Sequence, residues 1–160
     1  MRAATFKTTA LVLSLAIGAG CASGRTVSKR RGPQPTYTWK QAVYFDFDKS
    51  EVRGDAHAVL DDVAGRMKGD EKAVAILEGH ADPIGESYYN EALAEDRARS
   101  VRVYLRDQGA DAHRITMTSK GERDPVVQGY GRKDLEPNRR VDVILTLTGS
   151  EEESKKEEGK

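Results

Sequence analysis

The sequence predicts an α+β fold, a two-layer sandwich in β-α-β-α-β-β order with two helices packed on one face of a mixed sheet. Three observations carry this. Four short segments alternate or run apolar at strand length, two longer segments repeat apolar residues at helical spacing, and glycine or proline punctuates the joints between them. Layering follows because each helix has one apolar stripe to bury, and a sheet face is the simplest partner for two of them. The right-handed crossover rule makes the strand-helix-strand units parallel.

Each element has its own signal. Ala42 to Phe47 places Val43, Phe45 and Phe47 on one side and Tyr44, Asp46 and Asp48 on the other. Ala56, Val59, Leu60, Val63, Ala64 and Met67 mark a first helix that ends before Gly69-Asp70. Ala73 to Glu78 is a short apolar strand leading into His80-Ala81-Asp82. Along Tyr89 to Asp107, residues Leu93, Ala94, Ala98, Val101, Tyr104 and Leu105 share one face, and Gly109 is a plausible C-cap. Ile115 to Lys120 is a third strand, residues 121–137 a polar loop, and Val141 to Leu147 a final strand alternating Val143, Leu145 and Leu147 with Asp142, Ile144 and Thr146.

The flanks read differently. Arg2 and Lys7 precede an uncharged stretch, Thr8 to Gly20, too short for a spanning helix of about 20 apolar residues. Residues 1–20 therefore read as a signal peptide, with Gly18-Ala19-Gly20 leading to Cys21, the only cysteine. One cysteine excludes an intrachain disulfide and a cysteine-rich zinc site. Residues 21–38 carry no apolar period, and Gly32, Pro33 and Pro35 make them a flexible linker. Its Lys29-Arg30-Arg31 is either a solvated run or a contact for anionic lipid. Residues 39–148 form the domain. Residues 149–160 hold no apolar side chain and read as a disordered charged tail.

The chain has 160 residues, 32% charged and 38% hydrophobic, with a formal charge of zero. Removing Arg2 and Lys7 leaves 24 basic side chains against 26 acidic, a net charge of −2. No basic surplus points to nucleic acid.

Two polar residues interrupt the apolar face of the second helix. Arg97 sits near its middle, and Asn90 lies on the same side about two turns earlier. An inward guanidinium cannot lose its proton and needs an anion, for which Asp82 is the candidate. On physical grounds alone, the two form either a structural ion pair or a site that grips one ligand. His57, His80 and His113 are too scattered for a metal. His80 with Asp82 and Asp48 makes at most a partial shell, and no cofactor is implied.

Gly79-His80-Ala81-Asp82, Gly85, Tyr89-Asn90, Leu93 and Arg97-Ala98 resemble the signature of the OmpA-like peptidoglycan-binding domain family. Tyr44 to Asp48 and Asn138-Arg139-Arg140-Val141 match as well, and the nearest branch is the peptidoglycan-associated lipoproteins. The resemblance covers about residues 40–148, with several spaced blocks in order. It implies the same α+β sandwich and a non-catalytic module that tethers outer membrane to cell wall. It implies that Asp82 and Arg97 grip the diaminopimelate of the peptidoglycan stem peptide, one taking an ammonium and the other a carboxylate. Folding then survives loss of either, since an empty pocket is open to water. Asn90 adds a neutral hydrogen bond, and Ala81 contributes backbone. Asp48 is either a pocket residue or a turn carboxylate before the first helix. Arg139 and Arg140 either support the pocket from behind or lie beside its groove. Ala94 stands where the family more often has Ser or Gly. Cys21 resembles a lipoprotein processing site, although Gly18 replaces the usual branched apolar residue, and Ala22 favours the outer membrane over the inner. A TolB-like periplasmic protein is the implied partner. The competing enzyme reading takes Asp46-Phe47-Asp48 as the Asp-x-Asp of a magnesium-dependent phosphohydrolase, for which about 110 residues leave little room.

Overall fold

The computed structural model describes residues 36–129 and 131–149. The signal peptide, Cys21, the basic run at 29–31 and the tail from 150 lie outside the described residues. Four strands and two helices follow in the expected order: β1 (Thr36–Tyr44), α1 (His57–Gly69), β2 (Val74–His80), α2 (Ser87–Asp107), β3 (Ile115–Gly121) and β4 (Arg140–Thr148). Single 3₁₀ turns occur at Gly54–Ala56, Ala112–Arg114 and Glu136–Asn138. The sheet order is β1-β4-β2-β3. β2 and β3 are parallel, whereas β4 runs antiparallel to both β1 and β2. β1 and β2 therefore run parallel, as do β2 and β3, in keeping with the strand-helix-strand expectation, and antiparallel β4 makes the sheet mixed.

β1 differs from expectation. It begins three residues inside the stretch assigned to the linker and ends at Tyr44, not Phe47. Its Thr, Lys and Gln residues disguise an alternation that points Tyr37, Trp39 and Val43 at the core. Every residue from Thr36 to Tyr44 pairs with β4. Phe45 still donates its N–H to the Arg139 carbonyl at 2.8 Å, but the chain then turns. Asp48 takes a φ of 57°, in the left-handed region that a non-glycine residue visits rarely.

The core lies between the sheet and the helices. Leu60, Val63, Ala64 and Met67 of α1 and Ala98, Val101 and Leu105 of α2 meet Ala75 and Leu77 of β2 and Val141, Val143, Leu145 and Leu147 of β4. Small residues on α2 let it come close to β2. Gly79 lies under Ala94, leaving no room there for a side chain. Asp70 ties the end of α1 to the end of β4, accepting from the Thr148 N–H at 2.7 Å and its hydroxyl at 2.8 Å. Arg114 closes the same helix end by donating to the carbonyls of Met67, Asp70 and Ala73.

Candidate functional site

Arg97 faces inward, as its place on the helix predicts, and is 0% exposed. Its partners are not those expected. Nε donates to the Lys49 carbonyl at 2.9 Å, Nη1 to that of His80 at 2.9 Å and Nη2 to that of Asp46 at 3.2 Å. Its guanidinium also lies 5.5 Å from the centre of the Phe45 ring. One side chain on α2 thus gathers the turn after β1 and the end of β2. Burial lowers its pKa to about 10, opposed by the Asp82 carboxylate and reinforced by Arg139, so it stays charged at neutral pH.

Asp82 pairs with Arg139 instead of Arg97. The Arg139 Nη1 donates to its Oδ2 at 3.2 Å, and the Ile84 N–H donates to its Oδ1 at 3.2 Å. Arg139 also donates to the carbonyls of Phe45 and Arg132, so it supports the site from behind. Asp82, Arg97 and Arg139 are all buried, which sets two guanidiniums against one carboxylate. A second anion fits there electrostatically, since a buried charge needs a counter-charge.

The other expected residues surround this group. Asn90 is buried and donates from Nδ2 to the Glu122 Oε2 at 2.6 Å, so its amide braces the polar loop. Buried Ala81 donates its N–H to the Gly121 carbonyl at 2.8 Å. Asp48 is exposed and accepts from the Tyr89 hydroxyl at 2.6 Å. It does not cap the turn before α1, whose N-cap position is Arg53. Asn138 is a structural residue that sequence reading did not interpret. It is fully buried, its Oδ1 accepting from the N–H groups of Val126 and Val127 and its Nδ2 donating to the Val127 carbonyl. Asp46 and Asp48 lie beyond the end of β1 with separate partners. Asp46 faces Arg53 at 3.7 Å and Lys49 at 3.9 Å, whereas Asp48 faces Tyr89, an arrangement unlike a paired Asp-x-Asp centre.

A second polar cluster occupies the sheet face opposite the helices. Asp142, on the face opposite the apolar residues of β4, is buried there. Lys40 lies 3.0 Å and Arg140 3.1 Å from it. Among the described residues, Glu78, His80 and Asp142 form the one group with metal-ligand atoms within 4.8 Å of one another, not His80 with Asp82 and Asp48. Lys120, 3.1 Å from Glu78, adds a third cation, so both carboxylates already have partners.

His80 is buried in this cluster. Arg140 Nη2 lies 3.4 Å from its Nε2, and a guanidinium only donates, so the ring proton belongs on Nδ1, which has no partner. Burial lowers the His80 pKa and Arg140 lowers it further, against opposing pulls from Asp142, Asp124 and Glu78. Below pH 6.5 the unfolded chain gains a proton that the folded one refuses, so stability falls until the lower folded pKa is reached. The slope from this group is at most about 1.4 kcal/mol per pH unit. Urea unfolding from pH 7 to pH 5 should show that loss in the wild type and a flatter profile in His80→Gln. Parallel profiles would exclude His80 as its source.

The OmpA family model matches residues 44–139. The chain is 31% identical over 160 residues to the peptidoglycan-associated lipoprotein of Pseudomonas aeruginosa, covering 86% of this chain and 95% of that protein. It is 36% identical over 103 residues to outer membrane protein A of Bordetella avium, covering 64% of this chain and only 53% of that protein's length. The crystal structure of the peptidoglycan-associated lipoprotein from Burkholderia pseudomallei superposes with a TM-score of 0.64 at 32% identity, over 66% of this chain and 89% of that one.

Proposed function

Because this chain belongs to the OmpA family, we propose that it binds peptidoglycan non-covalently and tethers the outer membrane to the cell wall. The ligand is the diaminopimelate of the stem peptide, and no residue performs acid-base or nucleophilic chemistry. One observation carries this reading: two buried guanidiniums, Arg97 and Arg139, face a single buried carboxylate, Asp82. Arg97 commits three of its five N–H groups to main-chain carbonyls, which leaves two for a ligand carboxylate. Asp82 holds one N–H on each oxygen and keeps lone pairs for a ligand ammonium. A zwitterionic amino-acid end supplies both charges. In this proposal Ala81 contributes backbone, Asn90 a neutral hydrogen bond and Asp48 a carboxylate to the ligand. Similarity to two peptidoglycan-associated lipoproteins supports the same ligand class.

Co-sedimentation with purified peptidoglycan tests this directly. The protein should pellet with the wall, and free diaminopimelate should release it. Failure to pellet would leave the fold in place and overturn the ligand.

In this proposal Cys21 carries the lipid anchor in the outer membrane, and a TolB-like periplasmic protein shares the same pocket surface. Several acyl chains hold a protein far better than one. Cys21→Ser should leave unprocessed or soluble protein, whereas fractionation with the outer membrane like the wild type would exclude the anchor.

A further inference from the structure

Beside the Asp82–Arg97 site lies a groove of about 340 Å³ lined by Tyr44, Arg53, Asp55, Lys133, Glu136 and Pro137. Its volume falls within the roughly 300–1,000 Å³ common for small-molecule sites.

The lining has a definite chemistry. Tyr44 is 44% exposed, an aromatic ring on the rim. Pro137 adds a second rigid apolar surface. Around them stand planar side chains of both signs. Arg53 is 2.7 Å from Asp55 and 3.3 Å from Glu136, so the groove offers forked donors and forked acceptors already fixed in position. Opposite charges cancel locally, which disfavours a strongly charged ligand. A neutral ring carrying hydroxyls on its edge and C–H groups on its face satisfies all of these features. Hydroxyls meet the carboxylates and the guanidinium, and the C–H face packs on tyrosine.

The groove is joined to the Asp82–Arg97 site by shared chain. Asp46 gives its carbonyl to Arg97 and turns its carboxylate toward Arg53 of the groove. Glu136, in the groove wall, accepts from the N–H of Arg139, whose side chain holds Asp82. The stem peptide of peptidoglycan is covalently attached to an N-acetylated sugar, so a ligand seated on Asp82 and Arg97 carries a sugar nearby.

We propose that this groove is a subsite for an N-acetylhexosamine of the wall's glycan strand, with Tyr44 as its stacking platform. The subsite rests on the stem-peptide reading above, and the test separates the two. Binding of the full chain to a disaccharide-tripeptide and to the free tripeptide, both containing diaminopimelate, is measured by calorimetry. The wild type should bind the disaccharide-tripeptide about tenfold more tightly. Tyr44→Ala should erase that difference and leave tripeptide affinity unchanged, whereas Tyr44→Phe should keep it. Equal wild-type affinity for the two ligands overturns the subsite, as does a Tyr44→Ala loss shared by both. If the tripeptide does not bind but the disaccharide-tripeptide does, and Tyr44→Ala abolishes that binding, the stem-peptide reading falls and the groove stands. Binding of neither ligand removes both proposals.

Discussion

Gly79→Ala should destabilise the domain by about 3 kcal/mol or more and abolish ligand binding with it. A Cβ on Gly79 would fall on the Ala94 carbonyl oxygen and 2.7 Å from the carbonyl carbon. Both atoms are main chain of α2, so no rotamer change relieves the clash. Either β2 or α2 has to move. These elements carry His80, Ala81 and Asp82 on one side and Asn90 and Arg97 on the other, so the movement also separates the parts of the site. Ser119, which donates its hydroxyl to the Glu91 carbonyl at 2.9 Å, fixes the same helix from β3 and resists that shift. A melting temperature lower by about 10 °C or more is the expected reading. Gly65→Ala is the control. Gly65 lies within α1 with nothing within 4 Å of an added Cβ, so alanine there should raise stability by about 0.5–1 kcal/mol. A Gly79→Ala protein that melts with the wild type would mean that α2 and β2 are not held at this distance in solution.

The fold could be read from the sequence where each element buries one face and hides little else. The two helices and the strands β2, β3 and β4 show their periods plainly, and the strand-helix-strand directions follow from chirality. β1 starts earlier than its apolar pattern shows, because Thr36, Thr38 and Lys40 make its outer face polar and Pro35 adjoins it. The site could be read only in part. Arg97 stands out because a charge interrupts an apolar stripe. Its partners do not, since main-chain carbonyls leave no mark in a sequence. The Asp82–Arg139 pair joins residues 57 positions apart, so spacing gives no hint of it. Strand alternation sets Asp142 on the face opposite Val143 and Leu145, but it cannot foresee Arg140 and His80 burying it there.

Loss of Arg97 should now weaken both ligand binding and the fold, contrary to the expectation that folding survives. Arg97→Ala strands three carbonyls and empties the largest fully buried side chain, which should lower stability by about 2–4 kcal/mol. Its effect on affinity therefore proves little alone. Arg97→Lys should bind poorly too, because an ammonium cannot span three carbonyls and still make a forked contact to a carboxylate.

Asp82 gives the cleaner test. Asp82→Asn preserves the shape and an acceptor for the Ile84 N–H or for Arg139, so the fold should lose only about 1–2 kcal/mol. A ligand ammonium, in contrast, loses its counter-charge, and affinity for diaminopimelate should fall by about 2–5 kcal/mol. Pairing this variant with a ligand that lacks the amino group closes a double-mutant cycle. If Asp82 holds the ammonium, removing the amino group should cost the Asp82→Asn protein almost nothing further, because the interaction is already gone. If the two losses simply add, ammonium and carboxylate do not meet, and Asp82 is only the counter-ion of Arg139.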